Sequence, residues 1–307
     1  MQNETAPLRL GIIGLSDGNG HPYSWSAIFN GFDPEAMSRC PYPVIPQYLG
    51  EQDWPSAAIP NANVTHIWTQ DPALSRDVAE AALIPNICAE MTDMIGQVDA
   101  VLLARDDPEH HYAMARPFLE AGLPIYIDKP VATDLSTLEA MYALEQFPGQ
   151  LFSCSAVGYA EEFKLSAEDH AEIGPLVLVE ASIPKSWEKY GVHIIDPVLR
   201  LDDGLWNGGQ GGLKSVINTG HGDLNLVTAT WESGVQAIFK VTGDTPSPLK
   251  ITVYGQKGFK ELVFKDTFNA FKNALADFVA GIRDRSVRSE KAYLQRLVEI
   301  IEQGAKQ

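Results

Sequence analysis

Two α/β domains in succession are what the sequence predicts: a doubly wound parallel sheet over residues 1–130, then an α+β domain with a large, mainly antiparallel open sheet over residues 131–307. Three observations carry this. Short apolar runs alternate with amphipathic helical stretches through the first third of the 307 residues. The rhythm changes after Pro130, and the region from Leu176 to Phe264 becomes rich in strands and hairpin signals. Two amphipathic helices then close the chain.

The elements follow in order. Leu8 to Gly14 (LRLGIIG) is apolar and β-branched and ends in glycine, which reads as a buried strand. A polar turn, LSDGNGHPYS, leads into a helix placed from about Trp25 to Phe32. Residues 33–63 are dense in proline and read as an irregular insertion that shapes a site. A second strand, Val64 to Thr69, is followed by an amphipathic helix, Leu74 to Leu83. Ala100 to Ala104 is the third strand expected, then a helix from His111 to Ala121 ending at Gly122, a good C-cap, and a strand from Leu123 to Asp128. Strands and helices alternating at this spacing imply a parallel sheet with right-handed crossovers. A helix from Leu135 to Gln146 and a strand near Phe152 to Val157 come next. Further on, Glu232-Ser233-Gly234 reads as a hairpin turn. Phe271, Leu275, Phe278, Val279 and Ile282 make one closing helix face; Leu294, Leu297, Val298 and Ile301 make the other.

Composition narrows the function. A formal charge of −17 argues against a nucleic-acid partner, which needs a positive face. No apolar run reaches the roughly 18 residues that span a bilayer, and the polar N-terminus shows no leader. The three cysteines are far apart with no C-x-x-C pair, which fits a reducing compartment, and the cytoplasm is expected. The seven histidines are dispersed and no metal site is expected.

Several motifs, weak one by one, are specific in their order and spacing: LGIIG, VDAVLLARDDPEHHYAMARPFLEAGLPIYIDKP, SAVGYAEEF, EIGPLVLVEAS, YGVHIIDPV and ITVYGQKG. Together they resemble the glucose-fructose oxidoreductase/inositol dehydrogenase family over nearly the whole chain. The resemblance implies a Rossmann-like first domain that binds NAD or NADP. It also implies hydride transfer between a secondary alcohol and a carbonyl on a sugar, sugar derivative or polyol, and a homo-oligomer, dimer or tetramer, built through the second domain's sheet. Two other readings also resemble the family: a non-catalytic dinucleotide-binding regulator, and a glycosidase that uses tightly held NAD.

The phosphate loop departs from the family pattern G-x-G-x-x-G. This chain reads Gly14-Leu15-Ser16-Asp17-Gly18-Asn19-Gly20, with Ser16 and Asn19 where the second and third glycines belong. Gly18 and Gly20 are expected to restore the turn in shifted register. Cofactor contacts are thus expected from Gly14, Ser16, Gly18 and Asn19 at the pyrophosphate, and from Thr69 at the adenosine ribose. Arg105, Asp106 and His111 after the third strand, and Asp128 and Lys129 at the nicotinamide ribose, complete the set. Thr69 leaves NAD and NADP both open.

Lys129, in Asp128-Lys129-Pro130, ends a strand at the edge where open α/β sheets bind ligands. The resemblance makes it a donor to the substrate hydroxyl, with Pro130 cis. His193 titrates near neutrality and is the expected proton carrier, facing Lys129 across the nicotinamide. Where the family often has an acidic residue four positions earlier, this chain has Lys189, with Glu188 and Tyr190 beside it. Tyr190 is therefore a second candidate for proton transfer, and Asp196, on His193's helical face, is expected to hold the imidazole. Lys129, Trp187, Tyr190 and His193 are the expected substrate contacts. Trp206 to Gly212 (WNGGQGG) reads as a loop that covers the substrate or as a simple connecting turn.

Overall fold

The structure, a computed structural model, describes residues 6–202 and 204–305; the first five residues read above as leaderless lie outside it. The chain divides into two compact units. One comprises residues 1–128, 139–153 and 274–288, the other residues 129–138, 154–273 and 289–307.

The first unit is organised by six parallel strands: β1 (Leu8–Gly14), β2 (Ala62–Thr69), β3 (Asn86–Ile87), β4 (Ala100–Leu103), β5 (Ile125–Ile127) and β6 (Leu151–Phe152). Their order, β3-β2-β1-β4-β5-β6, reverses between β1 and β4. That reversal opens the crevice at which doubly wound sheets take ligands. Registers of Gly14 with Thr69 and of Ile13 with Leu103 bring the carboxyl ends of β1, β2 and β4 to one edge. β1 and β4 are apolar on both faces because helices cover both: β4 is buried at every position and β1 from Leu10 onward.

Those helices are α1 (His21–Asn30), α4 (Pro72–Ala81) and α5 (Pro108–Glu120), with two short ones, α2 (Pro34–Met37) and α3 (Val44–Gly50), between α1 and β2. α1 starts four residues before its expected position because Gly20 is its N-cap and Pro22 fits the first turn. It stops at Gly31, which takes φ 74°. The proline-rich stretch is more regular than expected for the same reason. Pro34 opens α2, whose first turn is capped by Asp33 accepting from Ala36 N–H at 2.8 Å. Pro72 and Pro108 likewise open α4 and α5, and Asp71 caps α4. β3 has two exposed residues and no periodicity to announce it. An aromatic ladder fills the sheet's flank: Trp25 stacks on Tyr126 at 4.7 Å, and Tyr126 meets Phe152 at 4.7 Å and Phe278 at 5.7 Å.

α6 (Leu135–Tyr142) and α11 (Thr267–Asp284) each carry the chain from one unit to the other. The strand expected over 152–157 ends at Phe152. Ser155 instead caps a 3₁₀ turn over Ala156–Tyr159.

The second unit holds α7 (Ala167–Ile173), β7 (Leu176–Ile183), α8 (Trp187–Tyr190), α9 (Val192–Leu201), α10 (Gly204–Asn207), β8 (Leu213–Asn218), β9 (Asn225–Trp231), β10 (Gln236–Val241), β11 (Lys250–Gly255), β12 (Phe259–Val263) and α12 (Lys291–Ala305). Its sheet runs β12-β11-β7-β10-β9-β8, antiparallel throughout except for β7 beside β10. β9 and β10 form the hairpin turning at Glu232-Ser233-Gly234, with Gly234 at φ 90°. Alternation along β9 and β10 buries Val227, Ala229, Trp231, Ala237, Phe239 and Val241, while α9 and α12 pack on the sheet. The expected covering loop is partly helical: Trp206 and Asn207 end α10, and Trp206 meets Tyr293 edge to face at 5.6 Å.

Candidate active site

In the first unit the carboxyl edge of the sheet is crowded with polar side chains that hold one another. Ser16 Oγ donates to Asp106 Oδ1 at 2.7 Å and accepts from Asp106 N–H at 3.0 Å, so the two sides of the β1/β4 crevice are joined. Asn19 Nδ2 donates to Asp128 Oδ2 at 2.9 Å, and His21 Nδ1 lies 2.5 Å from the same oxygen. Gln70, just past β2, pairs with Leu15 in both directions: it accepts from the N–H at 2.9 Å and donates to the carbonyl at 2.6 Å. Arg105 donates to the Leu15 carbonyl at 3.2 Å and to Gln70 Oε1 at 3.1 Å, and the rest of its fork grips Asp107. Burial alone would push the Asp107 carboxyl up, but the Arg105 hydrogen bonds and charge leave it below the ordinary carboxylate range.

Two expected cofactor contacts prove internal. Thr69 is buried; its hydroxyl donates to the Asp71 carbonyl at 2.6 Å and shares a bond with Ser75 Oγ at 2.9 Å. It closes the β2 turn, where a ribose contact was expected. His111 is fully buried and its Nε2 lies 2.8 Å from the Arg105 carbonyl, which places it under the loop as a support.

The second unit brings Lys129, Tyr190 and His193 together. The Lys129–Pro130 bond is cis. α8 and α9 meet at Gly191, where a Cβ would stand 2.7 Å from the Trp187 carbonyl oxygen, and this tight joint sets Tyr190 and His193 ring to ring at 5.6 Å. Lys129 Nζ lies 5.3 Å from the Tyr190 ring centre. Lys185, just beyond β7, donates from Nζ to Tyr190 Oη at 2.7 Å. It holds φ 77°, in the left-handed region that non-glycine residues rarely adopt, pinned by backbone bonds to Gly243 in both directions. An ammonium has no lone pair, so the phenol accepts there and its own O–H points elsewhere.

His193 is oriented differently from expectation. Its Nδ1 lies 2.7 Å from Ser155 Oγ. Asp196, expected to hold the imidazole, instead accepts from Ser155 N–H at 2.8 Å and from Arg200 Nε at 2.7 Å. The reason is reach along α9: Arg200, one turn on, and the buried 3₁₀ turn take both carboxylate oxygens of a residue with no solvent exposure. Burial works to lower the Arg200 guanidinium, but the Asp196 charge, with lesser contributions from its neighbours, holds it well above its usual value. Its Cζ lies 4.3 Å from the Tyr159 ring centre and 5.1 Å from that of Tyr293.

Trp187, expected to touch substrate, has no exposed surface and donates from Nε1 to the Ile301 carbonyl at 2.9 Å. It is a core residue anchoring α8 to α12. Sequence reasoning missed Ser155, Lys185 and Gln70. Ser155 and Gln70 follow strand ends, a positional hint; Lys185, five residues before Tyr190, carried no signal, because its reach depends on a left-handed backbone that the sequence does not announce.

A Rossmann-type sheet followed by a mixed sheet defines the class: residues 47–155 match the family model described as an oxidoreductase family with an NAD-binding Rossmann fold. The nicotinamide dinucleotides are the cofactors of that class. More particularly, the resemblance to the glucose-fructose oxidoreductase/inositol dehydrogenase family is upheld by this match, and the fold is shared with inositol dehydrogenases. Myo-inositol 2-dehydrogenase from Lactobacillus plantarum is similar at 15% identity and TM-score 0.69, covering 96% of this chain and 95% of that one. Apo scyllo-inositol dehydrogenase from Lactobacillus casei is similar at 13% identity and TM-score 0.71, over 97% and 95%. The latter enzyme with bound NAD(H) and scyllo-inositol gives 13% and 0.68, over 96% and 95%. No curated protein sequence matches the chain. Among the described residues, no helix is long and apolar enough to cross a membrane.

The strand order at the sheet edge suits a dinucleotide, but its diphosphate does not fit the first loop as this chain builds it. The Leu15 and His21 N–H groups are already taken by Gln70 and Asn19, and carboxylates of Asp17, Asp106 and Asp128 lie in or against the loop.

Proposed function

We propose that this protein is an NAD(P)-dependent oxidoreductase that interconverts a secondary alcohol and a carbonyl on a sugar, sugar derivative or polyol. The observation that supports this reading most is the Tyr190 phenol, which meets two lysines and an imidazole within one unit. A bound nicotinamide would supply the redox half of the chemistry; this chain's residues handle the proton. Tyr190, with its oxygen held by Lys185, gives its proton to the carbonyl oxygen in reduction and takes one from the hydroxyl in oxidation. Lys129 steadies the negative charge that develops on that oxygen. His193, set by Ser155, passes the proton onward. Asp196 and Arg200 keep the turn bearing Ser155 in place.

A panel of sugars and polyols, run with NAD⁺ and NADP⁺, tests the proposal. Turnover of at least one member is expected, lowered about 100-fold or more by Tyr190→Phe and by Lys129→Met. Undiminished turnover in Tyr190→Phe would remove the phenol from the mechanism. Cofactor binding without turnover of any member would favour a regulator, and glycoside cleavage without added NAD a glycosidase.

The same reading includes a homo-oligomer and a cytoplasmic home. The outer face of the second sheet carries Ile217, Ile238, Leu178, Tyr254 and Phe259 across paired strands, with Ile217 57% and Phe259 68% exposed, which suits burial against a second copy. Light scattering showing a monomer at micromolar concentration would remove that part.

A further inference from the structure

We infer that the loop between β1 and α1 is closed by its own side chains, and that it does not grip the diphosphate of a dinucleotide. The inference rests on the function proposed above for the identity of the cofactor and concerns how that cofactor is held.

Four observations converge. The first is the helix end. A phosphate at a helix N-terminus binds the N–H groups of the first turn. In α1 the His21 N–H is taken by Asn19 Oδ1 at 2.7 Å, Pro22 has none, and the Tyr23 and Ser24 N–H groups reach the Gly20 carbonyl at 3.0 and 3.4 Å. The second is the crevice itself, bridged by the Ser16–Asp106 pair; Ser16 is 4% exposed and Asp106 5%. Both replacements for the family's glycines, Ser16 and Asn19, are therefore the residues that close it. The third is steric. A Cβ on Gly20 would stand 2.5 Å from both Tyr42 and Ile45, so the proline-rich segment already lies against the loop. The fourth is charge. Asp17 lies in the loop and the Asp106 carboxylate is bonded to Ser16 within it, two negative groups beside any phosphate that entered. Burial first, then Asp17, Cys40 and Asp106, raise the neighbouring Tyr42 phenol. The Arg105 guanidinium beside the loop is already engaged by Asp107, Leu15 and Gln70.

Without a grip on the diphosphate, the adenosine half adds little binding. Fluorescence titration of the purified protein with NADH and with reduced nicotinamide mononucleotide reads this directly. The two are expected to bind within about tenfold of each other, a difference under about 1.4 kcal/mol. ADP-ribose, followed by calorimetry, is expected to bind no more tightly than millimolar. NADH bound more than about tenfold tighter, or ADP-ribose displacing it at micromolar concentration, would overturn the inference.

The doubly substituted Ser16→Gly/Asn19→Ala protein opens the crevice and releases the His21 N–H. Its affinity for ADP-ribose is expected to rise about tenfold or more; no gain in a variant that keeps the wild-type circular dichroism and melting curve would count against closure by these two side chains. If that variant does not fold, the wild-type comparison still decides. Should neither nicotinamide form bind, the closed loop stands and the proposed function falls, so the two failures are distinguishable.

Discussion

The Ser155 hydroxyl sits 2.7 Å from His193 Nδ1, while the Ser155 N–H is held at 2.8 Å by Asp196. A serine thus stands between the carboxylate and the imidazole, where direct contact was expected from helical spacing. Removing the hydroxyl takes this one bond from the ring without touching the ion pair beneath. Ser155→Ala is expected to lower turnover about tenfold or more while costing about 1 kcal/mol of stability, the worth of one hydrogen bond. Steady-state rates on the best substrate of the panel, with a urea melt of the same variant, check both numbers. A stability loss of several kcal/mol would show that Ser155 serves chiefly as the cap of its 3₁₀ turn.

Gly158 lies against the Asp196–Arg200 pair. A Cβ there would approach Asp196 Oδ1 to 2.0 Å and Arg200 Nε to 2.8 Å. Gly158→Ala is expected to destabilise by about 1–3 kcal/mol, as overpacking at a tight site does. Asp196→Ala leaves the Arg200 guanidinium without its carboxylate and is expected to cost about 3 kcal/mol or more. Denaturant midpoints at constant slope measure both; a neutral Gly158→Ala would mean that the pair moves aside freely.

Lys185 sets stability against function. Its left-handed backbone favours glycine by about 1 kcal/mol, yet its side chain holds Tyr190. Lys185→Gly should therefore melt at or above the wild-type temperature while turnover falls. Lys185→Arg should restore part of the turnover, because the charge can still reach the phenol. Equal turnover in wild type and Lys185→Gly would make the lysine a bystander.

Acid stability has a definite sign. Asp99 is lowered by its hydrogen bonds and charge contact with Arg9, and Asp169 falls to about 2 through Lys260 and the capping bonds from Ser166. Asp107 also ends below its ordinary range, as described. Each is a stronger acid folded than unfolded, so its contribution is complete above the unfolded carboxyl value, about 3.9, and is lost as pH falls toward about 2. Urea midpoints should hold nearly level from pH 7 to 5 and drop between about 4 and 2. In Asp169→Asn that acid drop should be shallower; an identical drop would show that the carboxylate is unperturbed.

Much of the fold was legible because burial writes itself into periodicity. The apolar runs LGIIG and AVLL reported strands covered on both faces, and Gly122 and the Glu232-Ser233-Gly234 turn marked where elements stop. Legibility failed where local signals were short or ambiguous. β3 has only two exposed residues, α1 begins inside a turn full of glycine, and prolines that open helices in residues 33–60 resemble prolines that break them.

The sequence alone determined the two-sheet architecture and the presence of Lys129, Tyr190 and His193, because chain-local patterns and residue types encode these. Only the tertiary structure decided who holds whom: Ser155 rather than Asp196 on the imidazole, Lys185 on the phenol, and Ser16 and Asn19 across the crevice. Apart from Lys185 and Tyr190, five residues apart, these pairings join residues 38 to 109 positions apart, and the register and crossings that bring them together arise only when the sheets close.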